Sequence, residues 1–152
     1  MAEIKIVSAN RNDYPQLVAI WEQSVRMTHH FLSPADIAFY KRFMEASVLA
    51  TLDVYCLKCN NEISGFLGMK GKSLEMLFIS PTQIGKGLGK SLLHFAIKKG
   101  VNRVEVNEQN EAALEFYLRF GFQVESRQPI DGFGKPYPIL SLKLVNSVLN
   151  SN

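Results

Sequence analysis

Three apolar segments, "VYCLKC" (54–59), "ISGFLGMK" (63–70) and "SLEMLFIS" (73–80), follow one another with the turn residues Asn60-Asn61 and Gly71-Lys72 between them. Connections this short cannot hold the crossover that parallel neighbours need, so the chain must run back and forth as an antiparallel meander. The third segment empties into "SPTQIGKGLGKSLL" (80–93), where glycines 85, 87 and 89 alternate with other residues and a helical apolar pattern follows at once. A meander that ends in a glycine-rich loop and a helix leaves few architectures open.

The flanking segments narrow them further. "EIKIV" (3–7) alternates like a first strand. Asp13 stands where a helix N-cap belongs, Pro15 falls in the first turn, and Leu17, Ile20, Trp21 and Val25 recur at helical spacing until "HHFL" breaks the pattern. Ser33-Pro34 opens a second helix. After the glycine loop, Leu88, Leu92, Phe95 and Ala96 make one face of a third helix, which Lys98, Lys99 and Gly100 close. "RVEVN" (103–107) is a fifth strand, and Asn110 caps a fourth helix, "EAALEFYLRF", that stops at Gly121. Two last strands, "FQVESRQPI" and "YPILSLKLV", flank a turn at Asp131-Gly132-Phe133-Gly134. The order is βααβββαβαββ: an α/β (α+β) fold with a mixed, mostly antiparallel central sheet and helices on both faces. One domain over residues 2–146 and a C-terminal tail over 147–152 are expected.

Composition excludes several classes of function. Hydrophobic residues make up 47% and charged residues 20% of the 152, so a folded core is expected rather than disorder. The net charge of +3 lacks the dense Lys/Arg footprint of a nucleic-acid binder. No apolar run approaches membrane-spanning length and "MAEIKIVSANRND" has no signal-peptide core, so the expectation is a cytoplasmic protein with neither nucleic acid nor membrane as partner. Cys56 and Cys59 form a lone C-x-x-C, but residues three apart in a strand point to opposite faces, so their thiols should not converge. With three His in the chain and no carboxylate cluster near His94, no metal is expected.

The glycine loop has the composition of a phosphate site, because small residues let backbone N–H groups approach an anion at a helix N-terminus. A P-loop would need glycine at Ile84 to match Gly89-Lys90-Ser91, and the available Gly85 leaves it one residue short. A dinucleotide fingerprint would need glycine at Lys90 or at Leu92. Both nucleotide readings fail on spacing.

A strand ending in "LFISP", then "IGKGLGKSLL", then "VNEQNEAALEFYLRFGF" resembles the GCN5-related N-acetyltransferase (GNAT) family over nearly the whole chain, element order included. That family's loop is written [Q/R]-x-x-G-x-[G/A]; Gly87 and Gly89 match its last two fixed positions, while Ile84 replaces the Gln/Arg. "SVRMTHHFLS" and "GKPYPIL" further resemble small, free-standing bacterial members. The ligand implied is acetyl-CoA, with residues 84–90 (Ile84, Gly85, Lys86, Gly87, Leu88, Gly89 and Lys90) at its pyrophosphate. Because that site binds largely through N–H groups, Ile84 is expected to retune binding rather than abolish it.

The resemblance also implies roles for single residues. Strand four should splay from strand five, leaving the backbone at Leu77, Phe78 and Ile79 to bind the pantetheine arm and polarise the thioester. Tyr117, in "EFYLRFGF", matches the Tyr that protonates the leaving thiolate, although its helix face alone would suit a core aromatic. Asn110 is a helix cap and also a match to a residue on the cofactor arm. Glu75 is a candidate general base; its alternation partners Leu77 and Ile79 are apolar, so its carboxylate is either functional or near a strand end. His29 and His30 break the first helix where the acceptor site usually lies. Tyr137, beside Lys135, faces either the acceptor or solvent. The implied activity is direct acetyl transfer in a ternary complex to a primary amine, on a small molecule or a protein; the other reading is a catalytically silent acyl-CoA-binding or regulatory module. Oligomeric state is left open.

Overall fold

The computed structural model describes residues 3–145. Its elements are β1 (Ile4–Ser8), α1 (Tyr14–Thr28), α2 (Pro34–Phe43), β2 (Asp53–Cys59), β3 (Glu62–Lys70), β4 (Ser73–Ile79), α3 (Leu88–Lys98), β5 (Arg103–Asn107), α4 (Glu111–Arg119), β6 (Phe122–Gln128) and β7 (Ile139–Leu144), with short helical turns before α1, after α2 and after β4. The sheet runs in the order β1-β2-β3-β4-β5-β7-β6. Every neighbouring pair is antiparallel except β4–β5. The expected tail, 147–152, lies outside the described residues.

Local chemistry sets most boundaries. Asn60 and Asn61 both take positive φ (51° and 70°), the conformation that tight hairpin turns favour and that Asn tolerates. Ser33 Oγ accepts from the Asp36 N–H at 3.1 Å with Pro34 in the first turn of α2, and Gly100 (φ 106°) ends α3. Asp13 departs from expectation. It flanks α1 without capping it; its carboxylate accepts from Asn10 N–H at 2.9 Å in a reciprocal capping box on the preceding turn.

Two apolar cores lie on opposite faces of the sheet. Leu88, Leu92, Leu93 and Ala96 of α3, with Tyr117 of α4, pack on Leu57, Leu67, Leu74, Val104 and Leu142. Leu17, Ile20, Trp21 and Val25 of α1, with Ile37 of α2, pack on Val54, Cys56 and Phe66. Cys56 belongs to the second core and Cys59 lies against the first, so the two free thiols stand on opposite faces.

The feature that positions the site is a parting of strands. β4 and β5 pair only at Ser73–Arg103 and Leu74–Val104. Beyond that point β4 stays on β3 while β5 stays on β7, and alternate peptide groups of Glu75–Ile79 face the opening with no partner strand among the described residues. At the fork β4 carries a bulge: Met69 pairs with Leu74 and Gly68 with Met76, leaving Glu75 as the extra residue.

Candidate active site

The fork opens a central cleft of about 660 Å³, continuous in its lining with a 310 Å³ cavity on the α1–α2 side and a 280 Å³ cavity towards the glycine loop. His29 and Phe78 line all three.

At the loop end, Gly87 precedes α3 in the left-handed region (φ 76°, ψ 13°), Gly85 also has positive φ, and no side chain caps the helix. A Cβ on either glycine would meet nothing within 4 Å. The first N–H groups of α3 are therefore open to an anion on an uncluttered approach. Lys86 and Lys90 are exposed nearby, with Lys86 Nζ donating to Gln83 Oε1 at 3.0 Å. Ile84, 58% exposed, lines the 280 Å³ cavity with an apolar side chain.

Tyr117 projects from α4 into the same region, lining both the central cleft and the loop-side cavity. Its ring is 7% exposed and packs against Phe116 and Phe122 at centroid distances of 5.2 and 5.8 Å. Burial holds its phenol above the ordinary value, so it stays protonated at neutral pH. No hydrogen bond among the described residues engages that hydroxyl.

Asn110 caps α4, its Oδ1 accepting from Ala113 N–H at 3.2 Å, which turns Nδ2 towards His29 Nε2 at 3.5 Å. On the other side of the ring, His29 Nδ1 lies 2.8 Å from Thr28 Oγ1, whose own proton goes to the Ser24 carbonyl at 2.7 Å. With that hydroxyl proton committed, Nδ1 must supply the N–H, and the network assigns a neutral ring with its lone pair on Nε2. Burial, aided by the neighbouring His30, pushes His29 down to about 4 and so favours the same form. Ser24 Oγ also donates to the Ile79 carbonyl at 3.1 Å, tying α1 to the end of β4.

Glu75 lines the central cleft and the α1–α2 cavity. Strand alternation does not set its direction, because the bulge resets it: Leu74, Leu77 and Ile79 all pack on the α3–α4 core. Burial, then the charge of Glu105 across the fork, raises its carboxyl above the usual range, against a 3.2 Å hydrogen bond from Ser73 and the charge of Lys70.

The loop between β6 and β7 closes over the α1–α2 cavity, where Asp131, Gly132 and Phe133 line it. Asp131 Oδ1 accepts from the N–H groups of Phe133 and Lys135 at 2.9 Å, and its Oδ2 accepts from Tyr40 OH. Phe133 packs on Phe43 at 4.6 Å and Phe39 at 5.4 Å. Tyr137, expected at the acceptor, stands behind it: its hydroxyl donates to Asp36, to which Lys135 also pairs at 2.9 Å, and it lines none of the three cavities. His30 is exposed and lines none of them either. Sequence reasoning passed over Asn107 and Asp131, which line both the central cleft and the α1–α2 cavity. Asn107 reads only as the end of a strand, and Asp131 only as a turn residue. Among the described residues no group of three or more His, Cys, Asp or Glu is placed to hold a metal ion.

A family model described as an acetyltransferase (GNAT) domain matches residues 18–133. The chain belongs to the GNAT acetyltransferase family. Peptidyl-lysine N-acetyltransferase YjaB of Escherichia coli (strain K12) is 36% identical over 149 residues, spanning 95% of this chain and 99% of that protein. YjaB of Salmonella typhimurium is 35% identical over 140 residues, spanning 91% and 97%. The solution structure of apo-form YjaB from Escherichia coli superposes with a TM-score of 0.88 at 34% identity, covering 95% and 99% of the two chains. The PaiA N-acetyltransferase of Thermoplasma acidophilum, solved in complex with coenzyme A, shares the fold with a TM-score of 0.73 at 23% identity, covering 93% and 99%. This GNAT enzyme is thus an acetyltransferase with a mixed, mostly antiparallel sheet, as its motifs imply.

Proposed function

We propose that this acetyltransferase moves the acetyl group of acetyl-CoA to a primary amine, with a peptidyl lysine as acceptor, by direct attack in a ternary complex. The observation that carries the reading is the β4–β5 fork, which puts Tyr117 and Glu75 on the walls of one cleft between an uncapped helix N-terminus and a roofed cavity. The names of the relatives supply the lysine.

In this reading, the N–H groups of residues 85–90 hold the pyrophosphate, with Lys86 and Lys90 adding charge in place of the side chain that Ile84 lacks. The free backbone edge at Leu77, Phe78 and Ile79 holds the pantetheine arm, and an N–H there polarises the thioester carbonyl, a contribution of roughly 3–4 kcal/mol in comparable sites. Glu75 takes a proton from the incoming ammonium, directly or through water, because a cationic amine has no lone pair to attack with. Its raised pKa brings a carboxylate nearer the proton affinity that such a base needs. The amine nitrogen then bonds to the carbonyl carbon, the C–S bond breaks, Tyr117 gives its phenolic proton to the departing thiolate, and the surplus proton on the amide nitrogen returns to the phenolate, directly or through water. Asn110 fixes the start of α4 and, with His29, the wall between the donor and acceptor sides.

Acetyl-CoA should raise the melting temperature by mass action, about 2.7 kcal/mol of stability at a hundredfold excess over Kd, while ATP and NADH should not. A shift with ATP and none with acetyl-CoA would end the reading.

A further inference from the structure

A second polar group in the fork has no role in this scheme. Asn107 ends β5, pairing through its backbone with Ile139, and is a lining residue of both the central cleft and the 310 Å³ cavity. Its Oδ1 is buried and has no hydrogen-bond partner among the described residues. A buried amide oxygen left unpaired costs free energy comparable to a lost hydrogen bond, and such groups in a cleft mark a place where a ligand donor belongs.

The surroundings say what kind of donor. Glu75, Glu105 and Asp131 line these two cavities, and among the described residues no Lys or Arg does. Apart from His29 and Tyr40, the rest of the 310 Å³ cavity is apolar, with the aromatic side chains Trp21, Phe43, Phe78 and Phe133 among its walls. Carboxylates with no cation beside them in the cavity walls attract a positive group. Aromatic faces accept both an alkyl stem and an ammonium. A carboxylate-bearing ligand would meet three like charges and find no partner.

We infer that Asn107 is the residue that orients the acceptor, its Oδ1 accepting an N–H of an unbranched primary alkylamine whose methylene stem lies along the aromatic walls of the 310 Å³ cavity. This rests on the transferase reading for its purpose, though the amine site stands on its own geometry. Once Glu75 has taken one proton of the ammonium, an amine whose N–H is held by Asn107 presents the freed lone pair for the bond to carbon. The site accordingly disfavours acceptors whose amine is flanked by a carboxylate.

The test is binding of n-butylamine, the lysine side chain without its backbone, followed by titration of the Asn107 side-chain amide resonances in the full-length protein. Butyrate, of equal length and opposite charge, is the control. Saturable perturbation by n-butylamine and none by butyrate is expected. Asn107→Leu should weaken n-butylamine binding about 10- to 100-fold, read from the remaining cavity resonances, because a hydrogen bond to a charged donor is lost. Asn107→Asp, which keeps an acceptor and removes the donor, should bind within a few-fold of the wild type. All three proteins should keep the same stabilisation by acetyl-CoA, which separates this outcome from failure of the transferase reading. No n-butylamine binding to the wild type, unchanged binding in Asn107→Leu, or equal loss in both variants would each overturn the assignment.

Discussion

Replacing Tyr117 with Phe separates catalysis from packing. The ring stays where it is, against Phe116 and Phe122, so the α3–α4 core keeps its aromatic contacts. What goes is one hydroxyl that no protein group among the described residues uses. Its folding contribution should therefore be within about 1 kcal/mol of zero, a change in melting temperature of no more than about 4 °C for a chain of this size. If that hydroxyl protonates the thiolate, kcat should drop by roughly 10²–10⁴, or about 3–5 kcal/mol of barrier. Acetyl-CoA binding should change little, since in the proposed reading the N–H groups of the glycine loop hold the anionic end of the donor and the hydroxyl meets only its sulfur. The assay is steady-state release of free thiol with a lysine peptide, alongside thermal melts with and without acetyl-CoA. Turnover within a few-fold of the wild type would return Tyr117 to the core. A large fall in melting temperature would show that the hydroxyl has a structural partner and refute the argument from its isolation.

Three other outcomes follow from the same geometry. Glu75 is raised above its unfolded value, so its contribution to stability is full below about pH 4.3 and is lost as pH rises through the folded value; Glu75→Gln should melt at the same or a higher temperature at pH 7, with the gain gone at pH 4, while kcat/KM falls and its rising limb against pH changes. His29 is depressed to about 4, so its contribution is full above 6.5 and is lost as pH falls through 4; His29→Gln should flatten melting temperature against pH across that window, and an unchanged slope would remove His29 as a cause of acid sensitivity. Gly87→Glu should abolish stabilisation by acetyl-CoA by setting an anion at the start of α3, whereas Gly87→Ala should carry only the left-handed strain of about 1–2 kcal/mol and keep most of the acetyl-CoA shift.

The elements were legible because their ends are written in local chemistry. Asn60-Asn61, Ser33-Pro34, Gly100 and Asn110 each act within a few residues, and each stands where its type suggests. The cysteines were separable for the same reason, since strand alternation is a local rule. At two of the residues singled out, a local rule stops short because a distant partner decides. Alternation could not aim Glu75, because the bulge depends on how β4 registers against β3. Tyr137 has the apolar body and polar tip of a ligand-binding residue, yet its hydroxyl goes to Asp36, 101 positions away. Asn107 carries no signal at all along the chain, because what distinguishes it is an oxygen without a partner among the described residues, beside cavities walled by six other elements.

The most direct measurement of the central claim is acetyl transfer followed on both products at once. The purified protein is incubated with acetyl-CoA and a lysine peptide, and released thiol and acetylated peptide are quantified over time, the latter by mass spectrometry. The account predicts that the two rise together one for one, that both stop when the lysine side chain is blocked, and that Tyr117→Phe slows both equally. Stabilisation by acetyl-CoA with no acetylated amine across a panel of lysine peptides and polyamines would contradict it, and would make the fork an acyl-CoA-binding site without a reaction.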